Sequence, residues 1–280
     1  MIAAKRRISI ATLALAVLAC LISGARPGAN EALAATAKAK PPLRVLVFSR
    51  TTGFRHSSIG AGVAAVHQLG AEHDFRVHST EDAKAFRRRN LRRYAAVVFL
   101  NTTGTVLNGR QKGAFKRYIR RGGGYVGIHS AADTEHQWPF YNRLVGALFL
   151  NHPLQQLAFF DNEAPRHPAT THLDPRFLAL DEFYAFKRNP RRRVRVLLTI
   201  DEQTYLPDPN TSHLPGGSPS SGRMGDHPMS WCRNVAKGRS FYTALGHEAY
   251  LYSEGWYLQH LLGGIRTATR IVKANCKPDT

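Results

Sequence analysis

Acidic residues are scarce in this 280-residue chain: 19 Asp and Glu face 39 Lys and Arg, a formal charge of +20. The excess gathers in KAFRRRNLRRY, FKRYIRRGGG and KRNPRRRVR. These runs sit beside predicted strands and helices without a pattern of aromatics interleaved for base stacking, so they read as a solvated face, and no nucleic-acid partner is expected. Cysteine is scarcer still, with only Cys20, Cys232 and Cys276. The spacing of Cys232 and Cys276 carries no metal signature, and no HExxH stretch is present to supply a zinc site of the protease type. A long apolar run is missing too. The one candidate, Ile8 to Ile22, falls short of the roughly 20 residues that a bilayer requires.

That short run is preceded by the basic start MIAAKRR and followed by the small residues of EALAATA. The pattern predicts a secretory leader over residues 1–34, cleaved after Ala34 or Ala37, and hence a secreted or extracellular protein with no transmembrane helix once the leader is gone. A lipid anchor at Cys20 is the lesser alternative, because the apolar run continues past it. In an oxidising compartment the two remaining cysteines, Cys232 and Cys276, could pair. Residues 35–42 read as a disordered linker, 43–272 as one domain and 273–280 as a tail. No internal repeat is visible. The Pro/Gly/Ser-rich stretch from Leu206 to Asp226 forbids regular structure.

The elements follow from hydrophobic period. LRVLVFS, FRVHST, YAAVVFLN and GYVGIHS read as strands, SIGAGVAAVHQLG and NGRQKGAFKRYIRRG as the helices between them. Alternation of this kind predicts an α/β fold: a doubly wound, mainly parallel sheet with helices on both faces. The later runs QLAFFD, DEFYAFKR, VRVLLTIDE, PMSWCRN and RSFYTALGH are spaced too closely for crossover helices, so they should extend the sheet with antiparallel strands before a closing helix near Gly255 to Thr269.

In such a sheet ligands bind beyond the carboxyl ends of the strands, where the topology reverses. The loops placed there supply Arg55, His56, Thr102, Thr103, His129, Ser130 and Asp133. Thirteen histidines are present, and NHP, RHP and DHP hold His152, His167 and His227 in extended backbone. His56, His129, His152, His227 and His247 are expected to share a pocket, His247 because it ends the strand SFYTALGH after a glycine as His129 ends YVGIHS. The others, His167 and His260 among them, are expected to be surface imidazoles. Asp133 and the Asp181–Glu182 pair bring carboxylates, and Asp226 stands beside His227. Imidazole with carboxylate supports acid–base chemistry, with His129, Asp133 and Glu182 as catalytic candidates. The same groups can hold a divalent metal such as zinc, with His129, His152, His227 and His247 as candidate ligands. Trp138, Tyr184, Trp231, Tyr250 and Trp256 offer ring faces on which a sugar could stack.

The segments TTGFRHSSI, GGGYVGIHSAADT, WPFYNRLVGALF, NHP, DEFYAF, VLLTID, DHPMSW and GRSFYTALGH together resemble the ThuA-like family, named for trehalose utilisation, over about Leu43 to Thr269. The resemblance implies a flavodoxin-like sandwich related to class I glutamine amidotransferases. It also implies a role in sugar metabolism, on a sugar, an oxidised sugar or a 3-keto-glycoside. Arg55, His56, Thr102, Ser130, Trp138, Tyr184 and Trp231 would then line the substrate site. In the amidotransferases the elbow carries a cysteine flanked by glycines. Here GIHSA places His129 at that position, so thioester chemistry has no nucleophile and amidotransferase activity is not expected. A noncatalytic carbohydrate-binding module at the cell surface is the alternative from another class.

Overall fold

The structure is a computed structural model that describes residues 42–208 and 221–278. The expected leader, the Cys20 anchor and the linker up to Pro41 lie outside the described residues, as does the middle of the Leu206 to Asp226 stretch.

The first half alternates as its hydrophobic pattern requires. Strand β1 (Leu43–Phe48) leads into helix α1 (Ile59–Glu72), then β2 (Phe75–Thr80), the short α2 (Arg88–Leu91), β3 (Ala96–Leu100), α3 (Gly109–Arg120) and β4 (Gly124–Ile128). All of β3 and β4 is buried, which explains why their sequences are unbroken apolar runs rather than alternating ones. Helix α3 starts where Asn108 and Gln111 form a reciprocal capping box, with each side chain accepting the other's backbone N–H. It buries Ala114, Phe115, Tyr118 and Ile119 on one face, the i, i+1, i+4, i+5 stripe of an amphipathic helix.

After β4 come α4 (Pro139–Val145), β5 (Phe149–Asn151), β6 (Gln156–Asn162), β7 (Arg176–Asp181), β8 (Ala185–Phe186), β9 (Arg195–Ile200), β10 (Pro228–Val235), β11 (Gly238–Thr243) and α5 (Gly255–Thr269). Nine strands form one sheet in the order β2-β1-β3-β4-β11-β10-β9-β6-β7. The five from β2 to β11 are parallel. The four beyond them are antiparallel. Helices α1 and α5 share one face of the sheet. On the other face Phe115 of α3 and Tyr141 of α4 reach Phe99 and Tyr125. The expected doubly wound, flavodoxin-like sheet with an antiparallel extension is therefore observed.

Two strand assignments need correction. DEFYAFKR is not a sheet strand: Asp181 ends β7, the chain leaves the sheet, and only Ala185 and Phe186 pair, with β5. Its aromatics are buried all the same, Phe183 and Tyr184 at 0% and 3% exposure, and burial without pairing is why its composition imitates a strand. The strand in SFYTALGH ends at Thr243, four residues before His247. Cys232 and Cys276 form a disulfide that ties the C-terminal segment to β10. No helix among the described residues is long and apolar enough to cross a membrane.

Candidate active site

Strand order 2-1-3 places the reversal of winding between β1 and β3, and the loops beyond β1, β3, β4 and β11 meet at their carboxyl ends. The β1, β4 and β11 loops each deliver one histidine of a compact cluster, the β3 loop braces it, and the chain leaving β7 brings Glu182. His129 stands directly after β4 with φ of +47°, a left-handed conformation that a side chain larger than glycine adopts only when its surroundings enforce it. This is the strained turn of a nucleophile elbow, and a histidine occupies its tip. Gly127, two residues earlier in β4, leaves room for the Tyr125 hydroxyl, from which a Cβ there would lie 2.6 Å.

His129 is fully buried. The Tyr184 ring covers it, with centroids 4.2 Å apart. Its Nδ1 lies 2.7 Å from the Ala244 carbonyl oxygen, which can only accept, so Nδ1 carries a proton and Nε2 is the atom turned to the cluster. Nε2 lies 3.2 Å from His247 Nδ1 and 3.4 Å from Glu182 Oε2. His247 Nδ1 lies 3.0 Å from the same carboxylate oxygen, and His152 Nδ1 lies 2.9 Å from the other, Oε1. His56 completes the group from the β1 loop, its ring edge-on to His129 and His247 at 4.8 and 5.0 Å, its Nδ1 3.3 Å from the Ser130 hydroxyl.

Asp181 braces the cluster from behind. Its buried carboxylate accepts the backbone N–H groups of Gly246 (2.7 Å) and His247 (3.2 Å), fixing the turn that aims the His247 ring. Asn101, also left-handed at φ +47°, donates to Ser58 Oγ and to the Gly246 carbonyl, tying the β3 loop to the same turn.

The charges follow from these contacts. Burial, added to the positive fields of His129 and His247, pushes His56 down to about 3, so it is neutral at physiological pH. Burial would raise Glu182, but hydrogen bonds from His129, His152 and His247 hold it well below the usual carboxylate range. Burial would lower His152 and His247, and in both the contact with Glu182 outweighs it and raises them. Burial, only partly offset by nearby imidazoles and backbone N–H donors, lifts Asp181 to about 6.

His56, His129, Glu182 and His247 each offer one ligand atom, all four within 4.8 Å of one another. Three imidazole nitrogens and one carboxylate oxygen, with the proton of the fourth-strand histidine parked on a carbonyl, is a donor set suited to zinc or a related divalent cation.

Not every expected residue joins this group. His152 reaches it only through Glu182. His227 stays outside: its Nε2 lies 2.9 Å from the Tyr184 carbonyl and its Nδ1 2.9 Å from Glu202. Asp133 pairs with His136 at 2.8 Å instead of entering the cluster. Arg55 is exposed and bound to Glu81. Thr102 is buried against Thr134. Trp231 is a core residue that donates to the Val145 carbonyl at 2.7 Å, and Trp138 packs on Tyr141 and Phe140. Trp256 lies against Phe177 and Tyr257, and the Tyr250 hydroxyl is spent on the Leu180 carbonyl. Neither His260 nor His167 is a surface imidazole. His260 is fully buried with its Nδ1 2.7 Å from the Ala169 carbonyl, and His167 lies beside the disulfide. Sequence reasoning missed Phe54. It is 68% exposed with its ring centroid 4.9 Å from that of His56, and its only signal was a place in the same β1 loop.

Residues 44–268 match the family model ThuA, described as trehalose utilisation. Among solved structures, a ThuA-like protein from Bacteroides uniformis is 23% identical with a TM-score of 0.66, covering 82% of this chain and 93% of that one. A ThuA-like protein from Parabacteroides merdae is 19% identical with a TM-score of 0.64, covering 85% and 98%. The β-galactosidase from Rahnella sp. R3 is 12% identical with a TM-score of 0.51, covering 82% of this chain and 32% of its own. At these identities the likeness is one of fold. No curated protein matches the sequence.

Proposed function

Since the chain belongs to the ThuA family of trehalose utilisation, within carbohydrate metabolism, we propose that it is an exported enzyme acting on a sugar or an oxidised sugar such as a 3-keto-glycoside. The chemistry would take place at the His56–His129–Glu182–His247 cluster, with a divalent cation held by those four residues. The observation that carries this reading is the His129 ring. Its Nδ1 proton is committed to the Ala244 carbonyl, and its free Nε2 is aimed at Glu182 and His247. A histidine so oriented and so buried is suited to ligation rather than to contact with a substrate.

A divalent cation in this donor set would polarise a sugar carbonyl or hydroxyl as a Lewis acid. The chain's own proton carrier is the outer imidazole of His152, which stands outside the four-residue set. Its side chain is 43% exposed, so it stands where a sugar arrives. The contact with Glu182 raises its affinity for protons. Protons next to a ketone are acidic, so a 3-keto sugar suits a site with an imidazole base and no covalent nucleophile. Glu182 holds the His152 and His247 rings in place. Export is supported by the leader-like start and by the Cys232–Cys276 pair, which fits an oxidising compartment.

Phe54 favours a second reading, a carbohydrate-binding module without turnover. An exposed ring at the rim of a polar cluster is what sugar stacking uses. One experiment separates the two. The purified mature protein is screened against glycosides and their 3-keto forms, with and without chelator, beside Glu182→Gln and His129→Ala. Chelator-sensitive turnover that both substitutions abolish establishes the enzyme. Sugar affinity that survives both, with no turnover in any sample, establishes the binder.

A further inference from the structure

The cluster sits at the carboxyl ends of the parallel strands, and a second feature lies towards their other end. Arg233 of β10 is level with Ser240 of β11, and Ser240 is level with Tyr125 of β4, four residues before His129. There a cavity of about 590 Å³ opens between α4, the 187–193 segment and β10. Six cations line it, Arg143, Lys187, Arg188, Arg192, Arg193 and Arg233, and no carboxylate does. Among the described residues, none of the five arginines takes part in an ion pair.

Like charges do not gather without a cause, and here the fold holds them together. Arg191, in the middle of the same run, binds Glu163 through two nitrogens at 2.7 Å and Asp226 at 2.6 Å. Asn189 also donates to Asp226, at 2.8 Å. These bonds spend the nearby carboxylates on one guanidinium and pin the turn that carries Arg188, Arg192 and Arg193. The floor is Arg233. Its Nε is buried with no hydrogen-bond partner, an orphan donor of a kind that folded proteins normally satisfy. Burial, with the fields of Arg193 and Arg143 added to it, pushes this guanidinium below its ordinary range.

We propose that this cavity is a binding site for a multivalent oxyanion, a phosphate or sulfate group either free or carried as an ester. Planar guanidinium forks match the oxygens of such groups, the anion would satisfy the Arg233 Nε donor, and its charge would relieve the mutual repulsion of the six cations. The pinned 189–193 turn means that little order has to be gained on binding. The inference is independent of the sugar chemistry proposed above.

Calorimetric titration of the full mature chain with inorganic phosphate, inorganic sulfate and glucose 6-phosphate tests it. Saturable one-to-one binding of at least one of them is expected, weakened tenfold or more by Arg233→Gln and severalfold by Arg193→Ala, whose exposed side chain can be removed without harm to the fold. A control is a second basic patch, the four arginines Arg88, Arg92, Arg117 and Arg121, which encloses only about 20 Å³. Arg88→Ala with Arg92→Ala should leave binding unchanged. Tighter binding of glucose 6-phosphate than of phosphate identifies an ester as the ligand, and equal binding identifies the free ion. Absence of saturable binding, or equal losses from the control pair and from Arg193→Ala, overturns the proposal.

Discussion

Asp181→Asn should change the stability of this protein in a way that depends on pH, and the size of the change can be worked from the structure. The Asp181 carboxyl is fully buried and titrates at about 6 in the fold, against 3.8 for the unconstrained group. A carboxyl raised on folding contributes stability that is fully present below pH 3.8 and is lost as pH rises through 6. The difference of about 2.2 units corresponds to roughly 3 kcal/mol. Asparagine does not titrate, so the stability of the variant relative to the parent should rise by about 3 kcal/mol between pH 3.5 and pH 7.5. On top of this sits a constant loss of roughly 1–3 kcal/mol, because one amide oxygen cannot accept from both Gly246 and His247 as the carboxylate does. The assay is urea unfolding of both proteins at a series of pH values. A stability difference that stays flat across the range would refute the argument, since it would mean that Asp181 titrates alike in the folded and unfolded chain. Because the lost N–H bond is the one that aims His247, the same variant should bind zinc more weakly at every pH.

Three further outcomes are expected. Phe54→Ala should raise the KM or Kd for a sugar by roughly 2–10-fold, the value of one ring contact, and leave the melting temperature unchanged, because the side chain is mostly in solvent; unchanged affinity removes Phe54 from the site. Cys276→Ser opens a loop closed over a separation of 44 residues and should lower the unfolding free energy by up to about 4 kcal/mol, so an unfolding midpoint insensitive to reductant argues against a structural role for the bridge. His260, driven down to about 3 by burial, should make the protein acid-sensitive. A histidine depressed on folding contributes stability that is present above about pH 6.5 and drains as pH falls below it, by about 2 kcal/mol at pH 5. His260→Gln should flatten that part of the profile by one proton, and an unaltered slope would count against the assignment.

The order of elements from Leu43 to Ile128 was legible apart from the short α2, which was missed: β1, β3 and β4 are unbroken apolar runs and α3 carries a one-sided stripe, whereas α2 is the polar four-residue turn RRNL with one buried residue. Strand β7, RFLALD, was not, since it is an edge strand that leaves Leu178 and Leu180 at 49% and 40% exposure, so its apolar residues mark no buried face. Among the site residues, His129 was readable from strand-end position, because the sheet's carboxyl edge converts a place in sequence into a place in space. The rule also recovered His56 and, four residues beyond its strand, His247. His227 was misjudged for a definite reason. A following proline sets the backbone extended, but extension does not fix the direction of the ring, and the ring turned to Glu202 and the Tyr184 carbonyl. Trp231 went to the core, where its N–H found a carbonyl, and Trp138 lies partly buried against that core, because an indole gains by burying its large area. Nothing in the sequence shows that three histidines converge on Glu182, since that depends on the chain leaving the sheet at Asp181.

The elbow at His129 shows how one strained turn can serve a different chemistry. A nucleophile elbow stores backbone strain in order to lift a reactive atom clear of the sheet into solvent. At His129 the left-handed φ is present and the exposure is not: the ring lies under Tyr184, one nitrogen is occupied by the Ala244 carbonyl and the backbone carbonyl is held by the Tyr242 hydroxyl at 2.9 Å. A residue locked at two points on its ring and one on its backbone cannot swing to attack a substrate, but its Nε2 can hold a fixed direction, which is what a metal ligand requires. The strain is therefore spent on aim. This argument gives the outcome for His129→Cys: a thiol at that position would be covered by the same tyrosine, with no second nitrogen to anchor it. Ammonia should not be released from glutamine, and zinc affinity should fall. Glutaminase activity in that variant would show that the turn still presents its side chain to solvent.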